Sequence, residues 1–239
     1  MANSFVTAAK KVLKTEADAL GKLKDDLPSD FSDLVKLILN LTGRVIVSGV
    51  GKSGHIGNKI AATLASTGTP AYFVHATEAS HGDLGMITEQ DLCLLISNSG
   101  ETIEMFNILT HARRFSIPVA TMSSNCESTL VKAADFQLCL PVAEEACPIG
   151  MAPTTSTTMM LALGDALAIA LMEAKGFNAE NFKVFHPGGK LGAKLMTVGQ
   201  LMHKNDTMPL VKTETSMKET LLTMSSKGFG IAATIDETG

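Results

Sequence analysis

The chain holds 239 residues, 45% hydrophobic and 18% charged, and 20 Lys and Arg stand against 24 Asp and Glu for a net charge of −4. A chain of this length buries roughly 70% of its unfolded surface, and its composition excludes a disordered or fibrous protein. It carries no basic block, which disfavours a nucleic-acid partner, because that affinity rests on clustered cations.

Residues 5 to about 41 predict two helices parted at Pro28-Ser29, with Leu13, Leu20 and Leu23 on one apolar stripe and Leu34, Ile38 and Leu41 on the next. Arg44 to Gly49 is a short apolar run ending in glycine, as in a buried parallel strand. Gly54 to Thr67 repeats Ile56, Ile60 and Leu64 every four residues and predicts a helix. Strands are expected at 71–74, 92–97, 118–122 and 136–140, a helix at 103–115, and a long apolar helix at 154–174. This alternation predicts an α/β protein, a doubly wound open parallel sheet flanked by helices, whose ligands bind beyond the carboxyl ends of the strands.

His186 opens a Gly-rich stretch, HPGGKLGAKL. It suggests a domain at 1–186, a linker at 187–196 and a partial βα pattern at 197–239, with a helix at 216–226 and a strand at 230–235. Such a short piece rarely folds alone, so the chain is expected to be cut from a longer protein. The longest apolar run, Met159 to Met172, is broken by Asp165 and falls short of the ~20 residues a bilayer requires. The N-terminus lacks the layout of a signal peptide. Cys93, Cys126, Cys139 and Cys147 form no C-x-x-C pair, and Cys93 and Cys139 lie in strand-like runs. Reduced thiols and a cytoplasmic location are therefore expected.

Three loops at strand carboxyl ends carry the polar residues. Gly49 to Gly57 (GVGKSGHIG) echoes both G-x-G-x-x-G and Gly-Lys-Ser. The phosphate-loop spacing is absent, however, and no acidic residue closes the next strand to hold a ribose. Its glycine amides, helix start and Lys52 can still receive an anion. Ser97 to Thr102 (SNSGET) crowds hydroxyls and an amide before a helix. It reads either as a phosphate cradle or as a helix cap built on Ser99. The third loop, Glu144 to Thr158, sets carboxylates after a strand and a row of hydroxyls before an apolar helix.

Together SGVGKSGHIGNKIAATLASTGTPAYFVHATEASHGDLGMI, LLISNSGETIEM, EEACPIGMAPTTSTT and FHPGGKLGAKL closely resemble the bacterial arabinose 5-phosphate isomerases. Those are sugar isomerase (SIS) domains followed by a tandem CBS pair, and the tail of this chain resembles the start of the first CBS motif. The resemblance implies interconversion of D-arabinose 5-phosphate and D-ribulose 5-phosphate through a cis-enediol(ate), feeding Kdo synthesis, in a homotetramer with sites shared between subunits. It implies Lys52, Glu104, Glu145 and His186 as catalytic residues, with His81 as a further candidate. Ser53, Ser97, Asn98, Ser99 and Thr102 would hold the substrate. The chemistry requires a carbon base, an oxygen acid/base and positive charge beside the oxyanion, without metal or redox cofactor. Glu104 and Glu145 are equal candidates for the base, and His186 is expected to complete a neighbour's site. Rival readings are another phosphosugar isomerase and a non-catalytic sugar-phosphate sensor.

Overall fold

The computed structural model describes residues 2–186 and 197–236, so the expected linker at 187–196 lies outside the described residues. The chain divides into two units, Met1–His186 and Pro187–Gly239. In the first, α1 (Ala2–Asp25) and α2 (Phe31–Leu39) precede an alternation of β1 (Val45–Gly49), α3 (Gly51–Ser66), β2 (Ala71–Phe73), α4 (Ala76–Ala79), β3 (Leu92–Ile96), α5 (Met105–Arg114), β4 (Val119–Ser123), α6 (Thr129–Lys132) and β5 (Phe136–Cys139). Two helices close the unit, α7 (Thr155–Ala174) and α8 (Ala179–Phe185).

The five strands form one sheet in the order β2-β1-β3-β4-β5, and every pair is parallel. Apolar side chains alternate between its faces. Val45, Val47, Leu92, Leu94 and Ile96 join a core with α1, α2, α3 and α7, while Ile46, Cys93 and Leu95 face α4, α5 and α6. The expected doubly wound sheet is therefore what forms. At the amino end of β3, fully buried Asp91 accepts hydrogen bonds from the Arg44 amide (2.7 Å) and guanidinium (3.0 and 3.1 Å) and from Thr88. Burial pushes its carboxyl up, but these bonds outweigh that cost and hold it below the ordinary carboxylate range.

Helix α7 has the length and apolarity of a membrane span. Here its Met160, Leu163, Leu167 and Leu171 are buried within the same core as α3, so it serves as a core helix. Of the stripe expected on α1, Leu23 is buried and Leu20 packs against the core, whereas Leu13 is 66% exposed and Ala19 supplies the further contact.

The cysteine expectation is corrected. Cys126 and Cys139 are paired as a disulfide, because the turn after β4 returns the chain to β5 and brings their Cα atoms to 5.7 Å, within bridging range. Reduced thiols there no longer support a reducing compartment. Cys93 remains a thiol, and burial pushes it up to about 12.

In the second unit, β6 (Leu210–Lys212) and β7 (Ala233–Ile235) pair in parallel around a helix at Met217–Lys227, with a short helix at Val198–Leu201 before them. Ser216 and Glu219 form a capping box at the start of the longer helix, and Gly228 ends it in the left-handed conformation.

Candidate active site

In the order β2-β1-β3, the chain leaves β1 toward one edge of the sheet and resumes at β3 on the other side. The carboxyl ends of β1 and β3 therefore flank a crevice, the place where such sheets bind ligands. On the β1 side the chain turns tightly into α3. A Cβ on Gly54 would stand 2.8 Å from the Gly49 carbonyl oxygen, so only glycine permits this approach. Lys52 lies exposed in the first turn of α3. Ser53, half-buried beside it, leans its hydroxyl on the Met160 sulfur of α7 at 3.9 Å.

On the β3 side, Ser97 Oγ and Thr102 Oγ1 share a hydrogen bond at 2.8 Å, and the Gly100 amide donates to Ser97 Oγ at 3.1 Å. Gly100 takes φ +66°, which closes the turn. Ser99 Oγ accepts from the Glu101 amide at 3.2 Å, and α5 begins only at Met105. The hydroxyls thus shape a closed turn and do not cap α5. The loop is pinned from outside as well: Ser123 Oγ donates to the Asn98 carbonyl (3.1 Å), Asn125 Nδ2 donates to the Ser99 carbonyl (3.2 Å), and the Glu101 carboxylate accepts from the Thr129 amide (2.8 Å).

Glu145 is held on the return loop from β5 to α7. Its carboxylate accepts from the Thr154 amide (2.7 Å), Thr154 Oγ1 (3.1 Å), the Ser156 amide (3.3 Å) and Ser156 Oγ. An anion at the start of a twenty-residue helix also meets favourable backbone partial charges. Burial pushes the Glu145 carboxyl up, but the hydrogen bonds from Ser156 and Thr154 prevail and hold it below the ordinary range.

A cavity of about 570 Å³ opens at this carboxylate. Asn98, Ser124, Glu145 and Ser156 line it, and α1 contributes Lys11 and Thr15. Among the expected site residues, Asn98 and Glu145 line this cavity; Lys52, Ser53, Ser97, Ser99 and Thr102 stand at the neighbouring strand ends. Lys11, Thr15 and Ser124 carried no motif signal. Ser156 lay within the PTTSTT stretch but was not singled out.

The remaining candidates stand apart. Glu104 occupies the N-cap position of α5, exposed and without a side-chain cap bond. His81 is exposed just after α4. His186 ends α8, its ring stacked on Phe182 at 3.8 Å and its Nδ1 paired with the Phe182 carbonyl at 2.9 Å. Phe185 stacks on Phe177, and Phe177 packs against Gly68 in the turn before β2. Lys175 ties the same turn by donating to the Gly68 carbonyl (3.0 Å) and Thr69 Oγ1 (2.8 Å). This anchorage lies at the far end of α7 from Glu145, and α7 spans about 30 Å.

The model of the SIS domain matches residues 38–170, more than half of the chain. The chain belongs to the SIS family. Among similar SIS proteins, the arabinose 5-phosphate isomerase KdsD of Yersinia pestis is 50% identical over 98% of this chain and 71% of its own length. KdsD of Pseudomonas aeruginosa is 49% identical over 98% and 72%. A solved structure from Escherichia coli CFT073, in complex with arabinose 5-phosphate, superposes with a TM-score of 0.75 at 40% identity, covering 77% of this chain and 98% of that one. The NanR protein of Vibrio vulnificus, complexed with ManNAc-6P, shares the SIS fold at a TM-score of 0.60 and 20% identity, over 83% of this chain and 69% of its own.

Proposed function

We propose that this SIS domain is an arabinose 5-phosphate isomerase, interconverting D-arabinose 5-phosphate and D-ribulose 5-phosphate and so supplying Kdo synthesis. One observation carries the reading: an ionised carboxylate, Glu145, fixed in the wall of a cavity shared with Asn98 of the hydroxyl-rich turn. The identity of about half the chain to proteins of that activity supports it. A sensor requires no held base.

In this scheme the turn Ser97–Thr102, with Ser53, receives the 5-phosphate. Glu145 takes the proton from carbon and returns it across the cis-enediol(ate). Glu145 is preferred to Glu104 because it lines the cavity and its carboxylate is oriented by hydrogen bonds. Lys52 stabilises the enediolate oxygen. His186 relays the oxygen proton from a neighbouring subunit of a homotetramer, a reading supported by its anchorage at the end of α7 away from Glu145 in its own chain. His81 is a further substrate contact. The unit at 197–239 reads as the start of a CBS motif, supported by its β-α-β order.

The test is an assay with ribulose 5-phosphate in D2O, followed by proton NMR. Arabinose 5-phosphate carrying deuterium at C2 is the expected product. Binding of a pentose phosphate without conversion supports the sensor instead, and turnover of only another phosphosugar supports the rival isomerase.

A further inference from the structure

Two buried side-chain oxygens among the described residues lack a hydrogen-bond partner, Ser124 Oγ and Ser128 Oγ. Both sit between β4 and α6, where Ser123 at the end of β4 and Asn125 on the turn hold the backbone of Asn98 and Ser99. A hydroxyl that loses water and gains nothing is destabilising, and native structures keep few of them. Their concentration beside the hydroxyl-rich loop therefore points to a missing partner. Ser128 is 1% exposed and packs against Gly100, sealed beneath the loop. Ser124 instead lines the cavity that holds Glu145 and Asn98. Turning its side chain about Cα–Cβ toward the cavity breaks no hydrogen bond, because it makes none.

We propose that Ser124 is a substrate-binding residue whose hydroxyl pairs with a sugar hydroxyl at C3 or C4. This rests on the isomerase reading above. With the phosphate at the Ser97–Thr102 turn and C1 and C2 at Glu145, C3 and C4 fall within the cavity that Asn98, Glu145 and Ser124 all line. It discriminates among pentose phosphates by what they present between their two ends, and it touches neither the phosphate nor the migrating proton.

The experiment compares Ser124→Ala with Ser128→Ala and the unaltered chain. It measures steady-state kinetics on arabinose 5-phosphate, inhibition by inorganic phosphate, calorimetric binding of arabinose 5-phosphate, and melting temperature. Ser124→Ala is expected to raise KM about three- to ten-fold, the worth of one hydrogen bond. Its kcat should stay within about two-fold, with phosphate inhibition unchanged and melting no lower. Ser128→Ala should leave KM where it was. An unchanged KM in Ser124→Ala overturns the proposal. So does a parallel rise in the inhibition constant of inorganic phosphate, which would move the contact to the phosphate. An equal KM rise in Ser128→Ala also overturns it, since the turn would then be acting as a whole. If the unaltered chain binds arabinose 5-phosphate without turning it over, the isomerase reading fails while the calorimetric comparison still judges Ser124. If it does not bind at all, both fail.

Discussion

Glu145 sits where two electrostatic influences oppose each other. Burial favours its neutral form, whereas the Ser156 and Thr154 donors favour the carboxylate, and the donors win. A base that rests ionised needs no activation before it accepts a proton, though a lowered pKa weakens its pull on a carbon acid. Exclusion of water by a bound substrate strengthens that pull. Glu145→Gln is therefore expected to lower kcat by about three orders of magnitude or more with KM changed little, and Glu104→Gln by about ten-fold. The reverse ranking would transfer the base to Glu104. The pH profile carries the same logic. With Glu145 as the proposed base, the acid limb is expected below the ordinary glutamate range, because a depressed pKa keeps the carboxylate deprotonated down to lower pH. Ser156→Ala removes the leading donor and should move that limb upward, measured as kcat/KM against pH. The Ser156 and Thr154 bonds also contribute stability that is present above the unfolded glutamate's pKa and lost as pH falls through the lower folded value.

At the level of elements, the sheet was legible because β1, β3 and β4 are buried on both faces, and such strands read as short, mainly apolar runs. The start of α3 at Gly51 was not legible, since the glycines that let it pass close to β1 look like loop. The single-turn helices α4 and α6 are too short to show a period. Motif stretches contained Asn98 and Glu145, but Lys11 and Thr15 reach the cavity on a helix whose only visible signal was its apolar stripe. The disulfide escaped because Cys126 and Cys139 are joined by tertiary pairing of β4 with β5 and not by a motif. The Ser97–Thr102 turn can be tested as an element. Gly100 has φ +66°, and a Cβ there would run into the Ser128 side chain. Gly100→Ala should cost about 1–3 kcal/mol in denaturant unfolding. KM for arabinose 5-phosphate should rise more than kcat falls. Lost stability with an unmoved KM would leave the turn a purely structural one.

For the whole molecule, α7 is the ruler. Its first turn meets Glu145, and its last leads to Lys175 and Phe177, which bind the turn before β2. The stack of Phe177 on Phe185 and of Phe182 on His186 continues from there. Those contacts hold the histidine at the end of α7 away from the carboxylate, which favours the proposed role in a second copy. Subunit mixing separates the two cases. Lys52→Ala and His186→Ala proteins, each inactive alone, are combined at equal amounts and allowed to exchange. If a site takes Lys52 from one subunit of a pair and His186 from the other, half of random pairs are mixed. Each mixed pair regains one of its two sites, so activity should return to about a quarter of the unaltered protein's. Exchange is verified by mass spectrometry of isotopically labelled subunits. Exchange without recovery means that His186 acts in its own chain or not at all. A His186→Ala protein that is fully active alone removes it from the mechanism altogether.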